Sequence, residues 1–490
     1  MPTSAAASAP DSTIRNHART KILATIGPAS SDRETLQRLV MAGADLFRLN
    51  MAHGTRQQHD AALRNVRAIE QDVNRPLGIL VDLAGPKIRL GELPGGSVDC
   101  PADGRMRFVR GKTSRQPDQL VTNYPRLIDD LQEGSRILLA DAAVQMIVET
   151  CTDDYAECRV IQAGRVLNRQ GVNLPGVKLS VPAISDADRD AALWAVENDV
   201  NFVSLSFVRS PNDILELKQL LRDAGCDPLV IAKIEKAEAV DNLEAIVAVA
   251  DGVMVARGDL GVEIDIADVP LTQKRIIQTC NRHNKPVIVA TQMLASMQNS
   301  LYPTRAEVTD VANAVLDGTD ACMLSGETAI GDYPCETVQM MNRIAIRAET
   351  EYHGHGRPKS NSPDDHVHAI TQAVVNGAAQ IAGELDASLV VVATRSGATA
   401  LTLSKTRTYT PVIGISDNPS TLRKMSLYWG VMPLHGAPSK DIPSLKHFVS
   451  EWGKKDGCLV EGSTVVLVTG TGVTRGLHNA IEVHEVQDEV

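Results

Sequence analysis

Eight short apolar runs, most closing on a polar or charged residue, recur between positions 21 and 327 of this chain. They are Lys21–Gly27, Leu46–Asn50, Gly78–Asp82, Phe202–Phe207, Ile231–Glu235, Met254–Glu263, Val287–Thr291 and Cys322–Glu327. Runs this short and this rich in β-branched residues read as buried strands. Helical periodicity lies between most of them, at Asp32–Ala42, Ser185–Asn198, Asn212–Ala224, Asp241–Ala250, Leu271–His283 and Tyr302–Leu316. Eight strands alternating with helices predict an α/β fold of the (β/α)8 TIM-barrel type. In such a barrel the reactive groups gather where the strands end. Arg48, Asn50, His53, Asp82, Arg89, Ser206, Lys233, Glu235, Asp259, Thr291, Ser325 and Glu327 are expected there.

Lys233, Glu235 and Asp259 form the densest group. A core does not need charges at strand ends, so these point to a ligand. Two carboxylates suit a hard divalent cation such as Mg²⁺, with Mn²⁺ as a substitute. A lysine beside that cation can neutralise a phosphoryl group in transfer. The competing bland reading is an ordinary buried Lys–Glu pair.

The 490 residues exceed what one core accommodates. After Gly91 the next helix fails to appear. Residues 92–181 instead carry turns and short β-like runs at Arg105–Val109, Arg136–Leu139, Val144–Val148 and Glu157–Ala163. They predict a small all-β domain inserted after the third strand, placed to act as a lid. The stretch His353–Pro363 has linker composition. Beyond it a helix at Asp365–Leu385 and strands at Ser388–Thr394, Pro411–Ser416 and Thr464–Thr469 predict an open doubly wound sheet, with a further helix near Thr421–Leu427. The expected division is a tail over 1–18, a barrel over 19–91 and 182–352, the inserted unit over 92–181, and a C-terminal α/β unit over 353–490.

A net charge of −11 and 3% aromatic residues argue against a nucleic-acid surface. No apolar stretch is long enough to span a bilayer, and Met1–Asp11 lacks the build of a signal peptide. Eight scattered cysteines without a C-x-x-C pair read as reduced structural thiols of a cytoplasmic protein. No Walker A sequence occurs, and Gly470-Thr-Gly472 with Gly476 fails the dinucleotide spacing.

Several motifs, in order and in spacing, resemble the pyruvate kinase family. They are Thr25-Ile-Gly-Pro-Ala-Ser30, Arg48-Leu-Asn50 with His53-Gly54, Gly85-Pro86, Gly171-Val-Asn-Leu-Pro-Gly176, Lys233-Ile-Glu235, Ala256-Arg-Gly-Asp-Leu-Gly261, Ala290-Thr-Gln-Met-Leu294 and Leu324-Ser-Gly-Glu-Thr328. The resemblance implies transfer of a phosphoryl group from phosphoenolpyruvate to ADP, giving pyruvate and ATP. It also implies that Glu235 and Asp259 hold Mg²⁺, that Arg48 and Lys233 bind the transferring phosphoryl, and that Thr291 and Ser325 lie by the enolate carbon. By the same resemblance the Gly258 and Asp259 amides take the substrate carboxylate, and Asn50, His53 and Arg89 meet the nucleotide phosphates. The family is usually a homotetramer.

Three departures stand out. Potassium-dependent members carry Asn, Ser, Asp and Thr ligands with a nearby Glu. Here Asn50 and Asp82 remain, while Ala52, Leu83 and Lys87 replace the others. Lost oxygens and a fixed ammonium both oppose K⁺, so a K⁺-independent enzyme is expected, with Lys87 supplying the charge. The inserted unit has Ala140-Asp141-Ala142 where Asp-Asp-Gly is usual, and Gln170 where a lysine is usual, which puts nucleotide preference in doubt. The loop Thr394, Arg395, Ser396, Gly397, Ala398, Thr399 is similar to the family's sugar-phosphate loop, with Ala398 in place of Arg; it is a candidate site for a sugar-phosphate or nucleotide effector. Two rival functions remain at this point. A non-catalytic or altered-specificity paralogue is left open by the departures but opposed by the intact Lys233, Glu235, Asp259 and Thr291, and an aldol-type lyase is disfavoured by the inserted unit.

Overall fold

The structure is a computed structural model and describes residues 17–140, 142–351, 368–438, 441–470 and 478–487. The proposed N-terminal tail, the linker at 353–363, Asp141 and the loop at 471–477 therefore lie largely or wholly outside the described residues.

Eight parallel strands close into a barrel. In chain order they are β1 (Lys21–Thr25), β2 (Leu46–Asn50), β3 (Gly78–Asp82), β4 (Phe202–Leu205), β5 (Leu229–Ile234), β6 (Gly252–Ala256), β7 (Val287–Ala290) and β8 (Ala321–Leu324). Each pairs with its neighbours in sequence order, and β8 returns to β1 through Lys21↔Ala321 to Ala24↔Leu324. Nearly every strand residue is buried, because helices cover the outside and side chains fill the inside. Helix starts follow the capping residues in the sequence. Asp32, Ser185 and Thr304 each accept the amide three residues on. The helix expected over Asp241–Ala250 is present as Leu243–Val249, and a short helix that the sequence reading did not give, Ala237–Asp241, precedes it. Asp241 and Asn242 separate the two, as short side chains that compete for backbone hydrogen bonds do.

The N-terminal end of the barrel repeats one device four times. A polar residue just before an even-numbered strand accepts a backbone amide of the odd-numbered strand beside it. Asp45 takes Ile22 N–H, Asn201 takes Ile79, Asp251 takes Val230 and Asp320 takes Val287, all at 2.7–3.1 Å. These strand-end amides would otherwise be buried donors without a partner.

Between β3 and β4 the chain builds two further sheets. One pairs Ser97–Cys100 with Gly164–Leu167. The other has six strands, in the order Val172–Asn173, Arg136–Leu139, Val144–Cys151, Tyr155–Gln162, Arg105–Val109 and Gln119–Leu120. They share a core of their own around Phe108, Ile137, Met146 and Val160.

The C-terminal sheet runs Val431–Leu434, Val412–Ile415, Leu389–Ala393, Thr464–Thr469, Ala480–Glu485. Four strands are parallel and the last is antiparallel. The sequence reading missed that edge strand, because Ala480–Glu485 mixes charged and apolar residues without a continuous apolar run. It also missed helices Ala398–Lys405 and Ile442–Asp456. This unit seals the barrel floor. Barrel-interior Leu23, Leu80, Phe202 and Ile231 belong to one apolar cluster with Met425, Leu427 and Tyr428. The approach is close enough that a Cβ on Gly78 would stand 2.4 Å from Ser426 Oγ.

The seam is also ionic. Lys405 Nζ reaches Asp320 at 2.6 Å and Arg407 reaches it at 3.1 Å, with all three side chains almost fully buried. Arg423 spans Glu70 and Asp199 at the rim. All eight cysteines are free, and burial pushes the thiols of Cys158, Cys280 and Cys322 up to about 12. Among the described residues no helix is long and apolar enough to cross a membrane. The buried Asp320 generates a stability prediction. Lys405→Met strips it of one cation and should cost about 3 kcal/mol, read as a lower denaturant midpoint.

Candidate active site

Lys233 ends β5 inside the barrel mouth, and three groups converge on its ammonium. Ser206 Oγ accepts from it at 2.7 Å, Glu235 lies at 3.0 Å and Asp82 at 3.3 Å. Asp82, at the end of β3, also accepts from Arg48 Nε at 2.8 Å and from Ser204 Oγ at 2.7 Å. Arg48 extends to Thr25 Oγ1 at 3.2 Å. The first five strands thus each contribute a group to one buried network. Burial alone would push the Asp82 carboxyl up, but Lys233 and Arg48 override it and hold it below the ordinary carboxylate range. Burial likewise works against the Lys233 ammonium, and Asp82 and Glu235 overcome it, so its pKa stands above that of free lysine.

Glu235 is 1% exposed. Burial raises its pKa, and the nearby Asp259 carboxylate raises it further. Its Oε2 accepts the Phe207 amide at 2.7 Å. Asp259 lies on the short helix Arg257–Glu263, with Lys87 Nζ at 3.9 Å. A buried carboxylate with a second carboxylate beside it supplies hard oxygens that fit a divalent cation. Among the described residues no group of three or more His, Cys, Asp or Glu is gathered to hold a metal. Two carboxylates leave the other positions to substrate oxygens and water, as suits Mg²⁺.

Thr291 follows β7 in the left-handed region at φ 69°, with Gln292 beside it at φ 53°. Arg257 braces this turn, donating to Thr291 O at 2.7 Å and Ala290 O at 3.3 Å while paired with Asp310. The Thr291 hydroxyl accepts the Gly258 amide at 2.9 Å and donates to Ala290 O at 2.6 Å. The Gly258 amide is therefore already engaged. Ser325 follows β8, and its buried hydroxyl has no hydrogen-bond partner among the described residues. Glu327, expected among the strand-end groups, instead accepts the backbone amides of Ser325 and Leu294 and shapes the loop.

The remaining candidates spread more widely. Asn50 Oδ1 accepts the Ala52 amide, and His53 is exposed. Arg89 is not at a barrel strand end. It pairs with Gly171 in the inserted region, and its guanidinium reaches Arg169 O at 3.2 Å. The chain has already left the barrel at Asp82, where β3 ends. Ala140 and Ala142 take φ 53° and 69°, a backbone that glycine adopts at less cost. Gln170 folds back to accept the Leu167 amide. In the C-terminal loop Thr394 Oγ1 accepts the Gly397 amide, Ser396 Oγ accepts Ala398, and Arg395 is exposed. Thr399 pairs with His478 at 2.9 Å, a partner that sequence reasoning did not identify.

Sequence reasoning also gave no role to Ser204, Phe207 or Arg257. Arg257 was legible as a charge flanking Gly258-Asp259. The Phe207 contact is made by its backbone, which no residue type announces.

The Asp82 pairings fix a pH dependence. The folded carboxyl titrates below its unfolded value of about 3.9, so its contribution to stability is present above that value and is lost as pH falls through the folded pKa. Asp82→Asn should lower the unfolding midpoint at pH 7, with wild type and variant converging as the pH drops below about 4.

Comparisons with known proteins agree with this geometry. Residues 17–338 match the family model described as pyruvate kinase, barrel domain, and residues 372–484 match the pyruvate kinase alpha/beta domain. A pyruvate kinase of Bacillus licheniformis is 40% identical over 475 residues, covering 96% of this chain and 81% of that protein. Pyruvate kinase 2 of Synechocystis is 43% identical over 461 residues, covering 92% and 76%. The crystal structure of a pyruvate kinase from Cryptosporidium parvum superposes with a TM-score of 0.90 at 32% identity, covering 96% of this chain and 97% of that one. By its sequence, its barrel and its C-terminal unit, this chain belongs to the pyruvate kinase family.

Proposed function

We propose that this phosphotransferase moves the phosphoryl group of phosphoenolpyruvate to ADP, giving pyruvate and ATP, with Mg²⁺ and without need of K⁺. The observation that carries this reading is the buried Arg48–Asp82–Lys233–Glu235 network at the barrel mouth. Phosphoryl transfer asks a protein mainly for positioning and for neutralisation of charge. Bound by Glu235 and Asp259, Mg²⁺ would supply Lewis-acid neutralisation of phosphoryl and enolate oxygens. Arg48 commits Nε to Asp82 and turns Nη1 toward Thr25, a hydroxyl that a phosphate oxygen can replace. Lys233, its charge secured by Asp82 and Glu235, stabilises the negative charge that builds on the enolate.

Protonation of the enolate carbon needs a donor on the β7–β8 side. Thr291 holds its proton on Ala290 O, whereas the unpartnered Ser325 hydroxyl is free to order a water or the substrate. The substrate carboxylate would take the Gly258 and Asp259 amides in exchange for the Thr291 hydroxyl. Asn50, His53 and Arg89 are assigned to the nucleotide phosphates, with the sheets inserted over 92–181 closing above them. The wider division into an N-terminal tail, a barrel over 19–91 and 182–352, and a C-terminal unit over 353–490 belongs to the same reading, as do a homotetramer and a cytoplasmic location. The loop Thr394–Thr399 is assigned to a sugar-phosphate or nucleotide effector.

K⁺ independence rests on the occupancy of the would-be ligands. Asp82 is saturated by Arg48, Lys233 and Ser204, Asn50 holds the Ala52 amide, and the Lys87 ammonium stands near Asp259. A second reading, the same transfer with a changed nucleotide preference, is favoured by Ala140 and Ala142 in left-handed backbone. Rates with ADP, GDP and UDP separate the two.

Pyruvate formation, coupled to lactate dehydrogenase at fixed ionic strength, should proceed equally in Na⁺ and K⁺. A rate seen only with K⁺ would remove the Lys87 reading, and no pyruvate in either salt would remove the kinase assignment. Lys233→Met and Lys87→Met should each lower kcat by about 10²–10³-fold, leaving the thermal midpoint of Lys87→Met near that of wild type.

A further inference from the structure

The turn Ser206–Arg209 leaves β4 and enters the helix Pro211–Asp223. Within four residues it touches both the candidate active site and the two segments that carry the chain into and out of the inserted sheets. Ser206 Oγ accepts from Lys233 and donates to Leu83 O, each at 2.7 Å. The Phe207 amide donates to Glu235 at 2.7 Å. The Arg209 guanidinium donates to Leu179 O at 2.8 Å and Val181 O at 2.9 Å, the two carbonyls flanking Ser180 on the returning segment. The other side of that segment is fastened to the inserted unit. Asp130 accepts the Ser180 amide at 2.8 Å and its hydroxyl at 2.7 Å. The outgoing segment meets the same turn, where a Cβ on Gly85 would lie 2.8 Å from the Phe207 ring.

Phe207 sits at φ 55°, a conformation that a bulky non-glycine residue holds only where its surroundings over-determine it. Contacts around it do so here: the Glu235 carboxylate, the packing of Gly85, the anchor two residues on at Arg209, and Asp213 on the Arg209 amide.

We propose that Arg209 is a positioning residue for Glu235. By binding the returning segment at Leu179 and Val181 it keeps the strained Phe207 amide on the carboxylate, so the seating of the inserted sheets is felt at the metal-binding oxygen. The inference rests on the reading of Glu235 as a metal ligand. Partners that orient a ligating carboxylate commonly set metal affinity by an order of magnitude. The Arg209 guanidinium also lies 3.9 Å from Asp213, which caps the following helix, but Asp213 accepts the backbone amides of Arg209 and Ser210 through bonds that do not use the Arg209 side chain.

The test uses the full chain as wild type, Arg209→Gln and Arg209→Lys. Mn²⁺ is titrated by electron paramagnetic resonance with no substrate or nucleotide, and hydrogen exchange is followed at Phe207 and over 177–182. Arg209→Gln should bind Mn²⁺ about tenfold more weakly, exchange the Phe207 amide faster, and keep its thermal midpoint within about 2 °C of wild type, a shift expected of a change that spares the core. Arg209→Lys, which retains a donor for one carbonyl, should fall between. In turnover the apparent KM for the metal should rise more than kcat falls. Unchanged Mn²⁺ affinity in Arg209→Gln, or a loss of affinity only in step with a falling midpoint, overturns the inference. If wild type binds Mn²⁺ but makes no pyruvate, the kinase assignment fails while the Arg209 comparison still decides this one. If wild type binds no Mn²⁺, both fall.

Discussion

A single buried carboxylate, Asp82, allows the rest of the site to exist. Arg48 and Lys233 are two cations drawn into the mouth of one barrel, and without an anion between them each would bear the cost of desolvation and of repulsion by the other. Asp82 lies on the strand next to one and near the other, and Ser204 fills its remaining capacity. Lys233 can then remain charged while 9% exposed. Glu235, on the far side of the same ammonium, is left in excess negative charge with Asp259. That imbalance is what a divalent cation would relieve, and it follows from how the charges are stacked along the strand ends.

The opposite end of the barrel solves a different problem. Strand amides exposed at the floor are met by Asp45, Asn201, Asp251 and Asp320, at alternate strands. Burying those acids calls for cations, and the C-terminal unit brings Lys405 and Arg407 to Asp320. Stability at the floor and chemistry at the mouth therefore use the same ingredients, carboxylates at strand ends, with opposite outcomes. At the floor each charge finds a fixed partner. At the mouth some capacity is left over: the Ser325 hydroxyl, the Glu235–Asp259 pair, and the Arg48 edge toward Thr25.

Strained backbone marks the mouth as well. Thr291, Gln292 and Phe207 all hold positive φ where they face the site, and the turns that carry them are pinned by a charged side chain, Arg257 at one and Glu235 at the other. Such strain persists because packing and hydrogen bonds around it leave no relaxed alternative. It places a hydroxyl or an amide at a point that regular strand or helix geometry would not reach.

The barrel strands and the charged groups closing them were legible in the sequence, because a strand buried on both faces must be a short apolar run and a charge at its end has no structural excuse. Lys233, Glu235, Asp82 and Arg48 could be selected on that basis alone. Arg89 could not be placed, because once the chain leaves β3 no periodicity says which sheet it joins. The edge strand Ala480–Glu485 was hidden because it pairs on one side only and carries charges among its apolar residues. The short helix Ala237–Asp241 was hidden because so few residues show no helical period. By itself, then, the sequence determined the alternation of strands and helices and the kinds of charge at the strand ends, since both are written in residue type and spacing. Tertiary structure alone decided which of those charges meet, which amides they accept and how the segment returning from the inserted sheets is tied to the turn beside Glu235, since these depend on backbone groups and through-space distances that no residue type encodes.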